Sequence, residues 1–259
     1  MIRGLYTSGW GMLTQQQRMD VVSNNLANAA TVGFKKDTLS LEAFPDILAR
    51  RIYDRGDNPT TRSLGSMTMF NNLAEVKTNF TQGVFEDTGL STDLAIDADP
   101  NAFFVVAAAG ENGEAEQFLT RDGAFHLTAN GLLVTRNGDP VLGREGAIVL
   151  PAGEDFTVRG DGSVEVDGVV TAQLLLRRIE NPESLRKTGE NLLVATEQTQ
   201  DGVFNGRIVQ GRLEQSNVDA VREMVDMITV LRAYETNQKM IQYQDETLDK
   251  ACNQIGRLG

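Results

Sequence analysis

Cysteine and histidine are almost absent from this 259-residue chain, which has one of each, Cys252 and His126. A single cysteine excludes a disulfide within the chain, and a zinc site built from several cysteines and histidines lacks its ligands. Catalytic schemes in which histidine is the general base have one candidate, which falls in a predicted strand. The sequence therefore predicts no metal, no cofactor and no enzymatic activity. Cys252 falls on the apolar side of a predicted helix, so we expect it to be packed in the interior.

Positive charge is also scarce, with 24 Lys and Arg against 36 Asp and Glu and a net charge of −12. Proteins that bind nucleic acid neutralise phosphates with clustered basic side chains, and the sequence has no such cluster. No apolar run approaches the ~18 residues of a helix that spans a membrane. The longest run, residues 102–109, has the length of a buried strand. We therefore expect no nucleic-acid partner and no membrane span.

Three zones of different composition divide the chain. Residues 1–34 and 214–259 have apolar residues at helical spacing, whereas residues 81–213 are rich in glycine and β-branched residues, with repeated Asn-Gly and Asp-Gly turn signals. Pro45 and the turn at residues 57–59 interrupt residues 35–80, which we predict to be an irregular connector. The predicted fold class is α+β: long terminal helices paired in a coiled-coil-like domain, and a central antiparallel β-domain of the sandwich or barrel type.

The apolar residues of both terminal helices repeat every three and four positions, as in the seam of a coiled coil. The helices would be roughly 45 and 60 Å long. A β-domain of ~130 residues, with a radius of gyration of about 14 Å, cannot cover them. One alternative is that the two helices only pair with each other. We predict that other copies of the chain bury the rest, at an assembly interface that contains Ile2, Leu5, Met12, Met19, Asn25, Leu26, Asn28, Met224, Met227, Leu231, Tyr234, Ile241, Leu248 and Ile255.

Several segments, in order along the chain, resemble those of bacterial flagellar rod and hook proteins, and among these the basal-body rod proteins of the FlgF and FlgG type. They are residues 24–35 (NNLANAATVGFK), 88–96 (TGLSTDLAI) with 103–106 (FFVV), 120–125 (TRDGAF), 211–218 (GRLEQSNV) and 232–237 (RAYETN). One departure is that residues 99–102 (DPNA) stand where the family usually has a glycine before its Phe-Phe pair. The turn before that predicted strand is therefore unusual.

The resemblance implies a structural subunit of the flagellar basal-body rod. Such subunits are exported through the flagellar type III apparatus without a cleaved signal peptide. They stack helically with themselves and with other rod and hook proteins into a hollow shaft that transmits torque to the hook. The polar residues 15–20 are consistent with this, because they interrupt the apolar segment that a cleaved signal needs. Phe44 and Leu48 resemble the element by which these subunits dock at the export gate, although a short packed turn is an equal alternative.

Two other functions stay open at the level of the sequence. An adhesin-like β-domain carried on an ordinary coiled coil would share the composition and the heptads. A hydrolase of cell-wall glycans would use a pair of carboxylates, for which the acidic positions 97, 99, 111, 114, 116, 154 and 155 are candidates. We favour solvated loop charges for these positions, and a rod subunit for the whole chain.

Overall fold

The computed structural model describes residues 2–43, 47–53, 60–67, 71–110, 115–151 and 156–255. A helix, α1, spans Ile2–Ala27, and a second helix, α2, spans Ala220–Lys250 and ends in a π-helical turn at Ala251–Ile255. The residues between them form strands, so the fold is α+β with a helix near each end, as predicted. The strands are β1 Asp37–Ala43, β2 Ile47–Tyr53, β3 Thr60–Met67, β4 Asn71–Thr78, β5 Phe85–Asp87, β6 Leu94–Asp97, β7 Ala102–Ala109, β8 Ala115–Thr120, β9 His126–Leu127, β10 Leu133–Val134, β11 Leu142–Gly143, β12 Gly146–Ala147, β13 Phe156–Val158, β14 Ser163–Val166, β15 Val169–Gln173, β16 Leu176–Ile179, β17 Arg186–Gly189, β18 Leu192–Val194, β19 Asp201–Gly202, β20 Arg207–Gln210 and β21 Arg212–Glu214.

The chain divides into two compact units. Unit 1 contains both helices and most of β1 to β4, from the ranges Met1–Leu26, Asp37–Lys77 and Ala220–Gly259. Unit 2 contains the remaining strands together with the segment that follows α1, from the ranges Ala27–Lys36 and Thr78–Asp219. Both units are therefore built from stretches that lie far apart in the sequence.

Unit 1 contains strands where the sequence predicted an irregular connector over residues 35–80. β1 pairs with β4, and β2 pairs with β3 in an antiparallel register that runs from Ile47 opposite Met67 to Tyr53 opposite Thr60. β2 to β4 lack the alternation of apolar and polar side chains that marks a half-buried strand, and β1 shows it over only its last five residues. The two proline-containing stretches that suggested a connector fall outside the described residues.

The core of unit 2 is organised around β7, the longest apolar run of the chain. β7 lies inside a six-stranded sheet with the order β17-β18-β8-β7-β16-β19. Phe104 and Val106 pack into an apolar cluster on one side of it, and Phe103 and Val105 pack into a second cluster on the other. Since all four side chains are completely buried, β7 is apolar at every position rather than at alternate ones.

The turns of unit 2 follow the Asn-Gly and Asp-Gly signals of the sequence. Between β14 and β15, Asp167 and Gly168 both have positive φ angles, of 50° and 79°, as a two-residue hairpin turn requires. The strands of unit 2 pair antiparallel in separate sheets of two to six strands, and none of the sheets in the described residues closes into a barrel.

The unusual turn before β7 has a structural solution. Ala98 adopts a left-handed conformation with a φ of 67°, which glycine adopts more easily. Asp99 then accepts a hydrogen bond from the Asn101 backbone N–H on its side-chain Oδ1 at 3.2 Å, and one from the Ala102 N–H on its carbonyl at 3.4 Å. The turn before β7 therefore places an alanine in the left-handed region and is closed by hydrogen bonds to Asp99.

Candidate functional site

Helices α1 and α2 contact each other through glycine and polar side chains. A Cβ atom at Gly4 would overlap the side-chain amide of Gln244, and one at Gly11 would lie 3.0 Å from the Asn237 Nδ2. Farther along, the Asn25 Nδ2 donates a hydrogen bond of 3.4 Å to the Glu223 carboxylate. Successive contact positions along α1, from Gly4 to Asn25, meet successively earlier positions along α2, from Gln244 to Glu223. The two helices are therefore antiparallel.

The residues on the less exposed face of α2 repeat every three and four positions, as predicted, but only some of them are the residues that we predicted. The predicted row of residues and the observed one share Met227, Tyr234, Ile241 and Leu248, which are half-buried in the structure. The observed face completes its repeat with Glu223, Val230, Asn237 and Gln244. Three of these are polar, so a search for apolar side chains passes over them. Met224 and Leu231, which we predicted in the row, are 46% and 47% exposed.

An apolar strip on α2 faces solvent in the isolated chain. This outer stripe of α2 consists of Val221, Met224, Val225, Ile228 and Leu231, each about half exposed or more. The first half of α1 carries a shorter strip, the outer stripe of α1, formed by Tyr6, Trp10 and Leu13. Contiguous exposed apolar patches of this kind mark interaction surfaces in soluble proteins.

The remaining predicted interface residues of α1 occupy less exposed positions. Leu5, Met12, Met19, Leu26 and Asn28 are half-buried. The side chains of Ile2, near the start of α1, and of Ile255, at the end of the π-helical turn, lie outside the described residues.

Asn25 is buried inside unit 1 and fixes the start of β1. Its side-chain Nδ2 donates to the Asp37 carbonyl at 2.8 Å, and its Oδ1 accepts from the Asp37 N–H at 2.9 Å. The side chain is 1% exposed and therefore acts within the subunit. One asparagine side chain satisfies both backbone groups of a strand residue, as a neighbouring strand would.

Unit 2 contains a buried ionic cluster that the sequence analysis did not select. Glu214, which ends β21, accepts a hydrogen bond from the Lys35 Nζ at 2.5 Å and one from the Arg121 Nε at 2.6 Å. The Gly83 N–H donates to the same carboxylate at 2.9 Å. All three charged side chains are at most 4% exposed. Each residue comes from a different one of the segments that resemble the flagellar family.

Backbone carbonyls satisfy the remaining donors of the two cations. Arg121 donates to the carbonyls of Ile96 and Asp99, each at 2.9 Å, and to that of Ala102. The Lys35 Nζ donates to the Thr81 carbonyl at 2.9 Å. The guanidinium thereby fixes the chain on both sides of the turn between β6 and β7.

Burial and charge act differently on the two ends of the Lys35–Glu214 pair. Burial lowers the pKa of the Lys35 ammonium group; Glu214 opposes this shift, and the neighbouring Arg121 adds to it. Burial alone would raise the pKa of the Glu214 carboxyl group, but Arg121 and Lys35 outweigh it and hold that pKa below its usual value. Glu214 therefore stays ionised, since two cations surround it.

The segment after α1 packs within unit 2 next to this cluster. Gly33 has a φ of 67°, and a Cβ there would lie 2.5 Å from the Arg121 carbonyl carbon, so the close approach needs glycine. The Gly33 N–H donates to the Glu214 carbonyl at 2.7 Å. The Lys187 Nζ lies 4.3 Å from the centre of the Phe34 ring and donates to the Lys35 carbonyl.

Asn217 connects both ends of unit 2. Its Oδ1 accepts from the Lys36 N–H at 2.7 Å, and its Nδ2 donates to the carbonyls of Asn79 and Thr81. Lys35, Arg121 and Glu214 are far apart in the sequence, so no local pattern links them. The signal available in the sequence was that each of them lies in a segment that resembles the flagellar family.

The candidates for chemistry are not brought together. His126 is exposed, and its Nδ1 lies 2.7 Å from the Phe125 carbonyl. Cys252 is also exposed, so the prediction that it packs in the interior was wrong: it falls in the π-helical turn, beyond the half-buried face of α2. Within the described part of the chain, no three His, Cys, Asp or Glu side chains form a group that could hold a metal ion.

The acidic candidates and the export-gate candidate are similarly dispersed. Asp97 pairs with Arg207 at 2.6 Å, and Asp99 pairs with Arg178 at 3.1 Å. The carboxylates at 111, 114, 154 and 155 lie outside the described residues, as does Phe44. Leu48 lies in β2, a strand rather than a helical turn. None of the described helices is long and apolar enough to cross a membrane.

Comparison with known protein families gives three matches along the chain. Residues 5–35 match the model described as "Flagella basal body rod protein". Residues 98–172 match "Flagellar hook protein FlgE/F/G D1 domain", and residues 209–255 match "Flagellar basal body rod FlgEFG protein C-terminal". The first and third matches contain most of α1 and of α2, and the second contains β7 and β8.

Similar proteins match the chain over its full length. The flagellar hook-basal body complex protein FlhO of Bacillus subtilis is 34% identical over 100% of both chains. The flagellar basal-body rod protein FlgG of Borreliella burgdorferi is 33% identical over 98% of both. The flagellar basal-body rod protein FlgF of Caulobacter vibrioides is 34% identical over 100% of this chain and 99% of its own.

Proposed function

The chain belongs to the flagellar basal-body rod protein family, and on that premise we propose that it is a structural, non-catalytic subunit of the flagellar basal-body rod. It works by associating with further copies of itself and with other rod and hook proteins, in a helical array that forms a hollow shaft and transmits torque to the hook. Its place in the cell is the basal body of the bacterial flagellum, which it reaches through the type III export channel without a cleaved signal peptide.

The outer stripe of α2 is the observation that carries this proposal. Five apolar side chains within three turns of one helix lie about half exposed or more, and they lie outside the less exposed face that meets α1. Exposing such a strip to water is unfavourable by about 25 cal/mol per Å² of apolar surface, so a partner surface is expected to bury it. A helical array supplies that partner, because each subunit presents the same strip to its neighbour.

We assign the assembly role to the helical part of the chain, residues 1–34 and 214–259. In the array, α1 and α2 pair in a coiled-coil-like manner, and the exposed residues of the predicted interface, Met224 and Leu231, face a neighbouring subunit. The β-rich part, residues 81–213, packs as an antiparallel sandwich-like outer domain. The antiparallel contacts between α1 and α2, and the two apolar clusters on either side of β7, support these assignments.

An assembly test uses a charge placed on the outer stripe of α2. Ile228→Asp should lower incorporation into basal bodies about tenfold or more, because a buried, unpaired charge costs at least 1.4 kcal/mol at an interface. The measurement is the amount of the variant in purified basal bodies, together with motility, in a flagellated host that carries the variant in place of its own subunit.

The matched control is Thr229→Asp, which adds the same charge at the next position. Thr229 is exposed, and its hydroxyl bonds only to the Val225 carbonyl one turn earlier. This variant should assemble normally, and circular dichroism should show equal helix content in both variants. Full incorporation of Ile228→Asp would overturn the proposed role of the outer stripe.

We also propose that Phe44 and Leu48 form the element that docks at the export gate. The support is the resemblance of this segment to the corresponding one in the flagellar family. Phe44→Ala should lower secretion of unassembled subunit, measured in the culture medium of a strain that cannot complete the rod. Unchanged secretion would remove this part of the proposal and leave the assembly role intact.

A further inference from the structure

The ionic cluster of unit 2 joins residues that are far apart in the chain. Lys35 and Glu214 are 179 residues apart, and Arg121 and Glu214 are 93 apart. Lys35 lies near the beginning of unit 2, Arg121 near its middle and Glu214 near its end. The cluster is therefore complete only when the last strand, β21, is in place.

Glu214 supplies the negative charge of the cluster. The other hydrogen-bond acceptors of Lys35 and Arg121 are backbone carbonyls, which carry no net charge. Without Glu214, the native packing would bury two cations beside each other without an anion, and a buried charge that lacks its partner strongly opposes folding. Lys35 and Arg121 can therefore be buried as in the native structure only after β21 has docked.

Arg121 couples this condition to the core of unit 2. Its guanidinium group donates to carbonyls on both sides of the turn between β6 and β7, at Ile96, Asp99 and Ala102. Phe103 and Phe104, which follow directly in β7, belong to the two apolar clusters. If the guanidinium cannot be buried, the turn loses three hydrogen bonds at the point where β7 enters the core.

The last strands also close sheets that begin far upstream. β20 pairs with β6, with Arg207 opposite Asp97, and β21 pairs with β5, with Arg212 opposite Asp87. Pairings across more than a hundred residues form late, because the loop entropy is lost before any contact is gained. Until β21 pairs with β5, unit 2 lacks both its last strand and the negative charge of Glu214, which that strand carries.

We propose that the Lys35–Arg121–Glu214 cluster is a folding latch, which keeps unit 2 from reaching its native packing until β21 has docked. A chain whose last part is unavailable, during synthesis or during passage through a channel, remains open under this mechanism. The latch follows from the contacts within unit 2 and does not depend on the proposed function.

Pulsed hydrogen exchange during refolding of the full-length chain from urea tests the latch. In the native protein, the amides of the β7–β8 pair should gain protection in the same kinetic phase as those of β5, β6, β20 and β21. The β7–β8 pair is a local hairpin and would otherwise form early. Protection of β7 and β8 in a phase that precedes β20 and β21 would overturn the proposal.

Two variants sharpen this test. Glu214→Gln should slow that common phase at least about tenfold or abolish it, because the cations then lack their anion. The matched control is Asp87→Asn. Asp87 is an exposed carboxylate in β5 that pairs with Arg212, which lies on the same strand as Glu214. This variant should change the rate less than about twofold. Equal effects of the two variants would contradict the latch.

A third variant separates charge from topology. Replacing the cluster by apolar residues (Lys35→Met, Arg121→Met and Glu214→Leu together) removes the buried charges while roughly keeping volume. If the charges form the latch, β7 and β8 of this variant should gain protection before β20 and β21. If the single phase persists, the charges are not what delays the core, and the proposal is overturned.

Discussion

The two units of the chain differ in where their apolar side chains lie. In unit 2, the phenylalanines of β7 are completely buried, and the buried Lys35, Arg121 and Glu214 are paired with one another. Unit 2 also exposes apolar side chains such as Val84 and Val203. In unit 1, glycine, amide and carboxylate groups lie between the helices beside half-buried apolar residues, and the outer stripe of α2 forms an exposed apolar strip along one helix. The helices are therefore the part of the chain that we expect a partner to cover.

The largest loss of stability is expected when one charge is removed from the ionic cluster of unit 2. Arg121→Met leaves three carbonyls without their donor and should lower the free energy of unfolding of unit 2 by about 3–5 kcal/mol. Arg212→Met, which removes an exposed arginine paired with Asp87, should cost at most about 1 kcal/mol. Urea unfolding followed by near-ultraviolet circular dichroism measures both. Equal midpoints for the two variants would show that the cluster does not stabilise unit 2.

Acid should affect the two units differently. Because the pKa of Glu214 is held below its usual value, its contribution to stability is fully present above the pKa of the unfolded chain. It is lost as the pH falls through the lower pKa of the folded state. Urea unfolding from about pH 5 to about pH 2 should therefore show a loss for unit 2 that is smaller in Glu214→Gln. Parallel curves for the native and variant proteins would contradict this assignment.

Two leucine substitutions test the glycine contacts of unit 1. Gly11→Leu inserts a side chain where Asn237 lies 3.0 Å from the Cβ position, and should lower stability by about 1–3 kcal/mol. At Gly9 a Cβ would meet no atom within 4 Å, so Gly9→Leu should raise helix stability by about 1 kcal/mol. Thermal unfolding followed by the helical circular dichroism signal measures the difference. A gain of stability in Gly11→Leu would show that the helices do not pack closely at Gly11.

The smallest effect is expected at the strained turn of unit 2. Ala98→Gly should raise the stability of unit 2 by about 1 kcal/mol, because a left-handed conformation is unfavourable for alanine. Ala95→Gly in the neighbouring strand β6 relieves no such strain and should lower stability by a similar amount. Both changes are read from the midpoint of the urea transition. A loss of stability in Ala98→Gly would show that the turn is not strained.

Local signals predicted much of the fold. The spacing of apolar residues predicted α1 and α2, the run at residues 102–109 predicted a buried strand, and turn dipeptides such as Asp167-Gly168 predicted hairpins. The rod family, rather than the adhesin-like or hydrolase alternatives, is confirmed by the matching families and relatives. That prediction came from motif resemblance rather than from composition.

Features that depend on tertiary contacts were not accessible in the same way. The ionic cluster joins side chains 93 and 179 residues apart, and no local pattern connects them. The contact between α1 and α2 uses Gly4 and Gly11, which carry no hydrophobic signal. Strands β2 to β4 lack the alternation that marks a half-buried strand and β1 shows it over only five residues, so composition indicated a connector instead.

The two hydrogen bonds between the Asn25 side chain and the Asp37 backbone have a mechanical consequence for the proposed rod. They connect the last turn of α1 directly to the first residue of β1. Rotation of the helix end relative to the strand would strain both bonds at once. In a rotating shaft, we therefore expect this amide to carry part of the load from the helix to the strand.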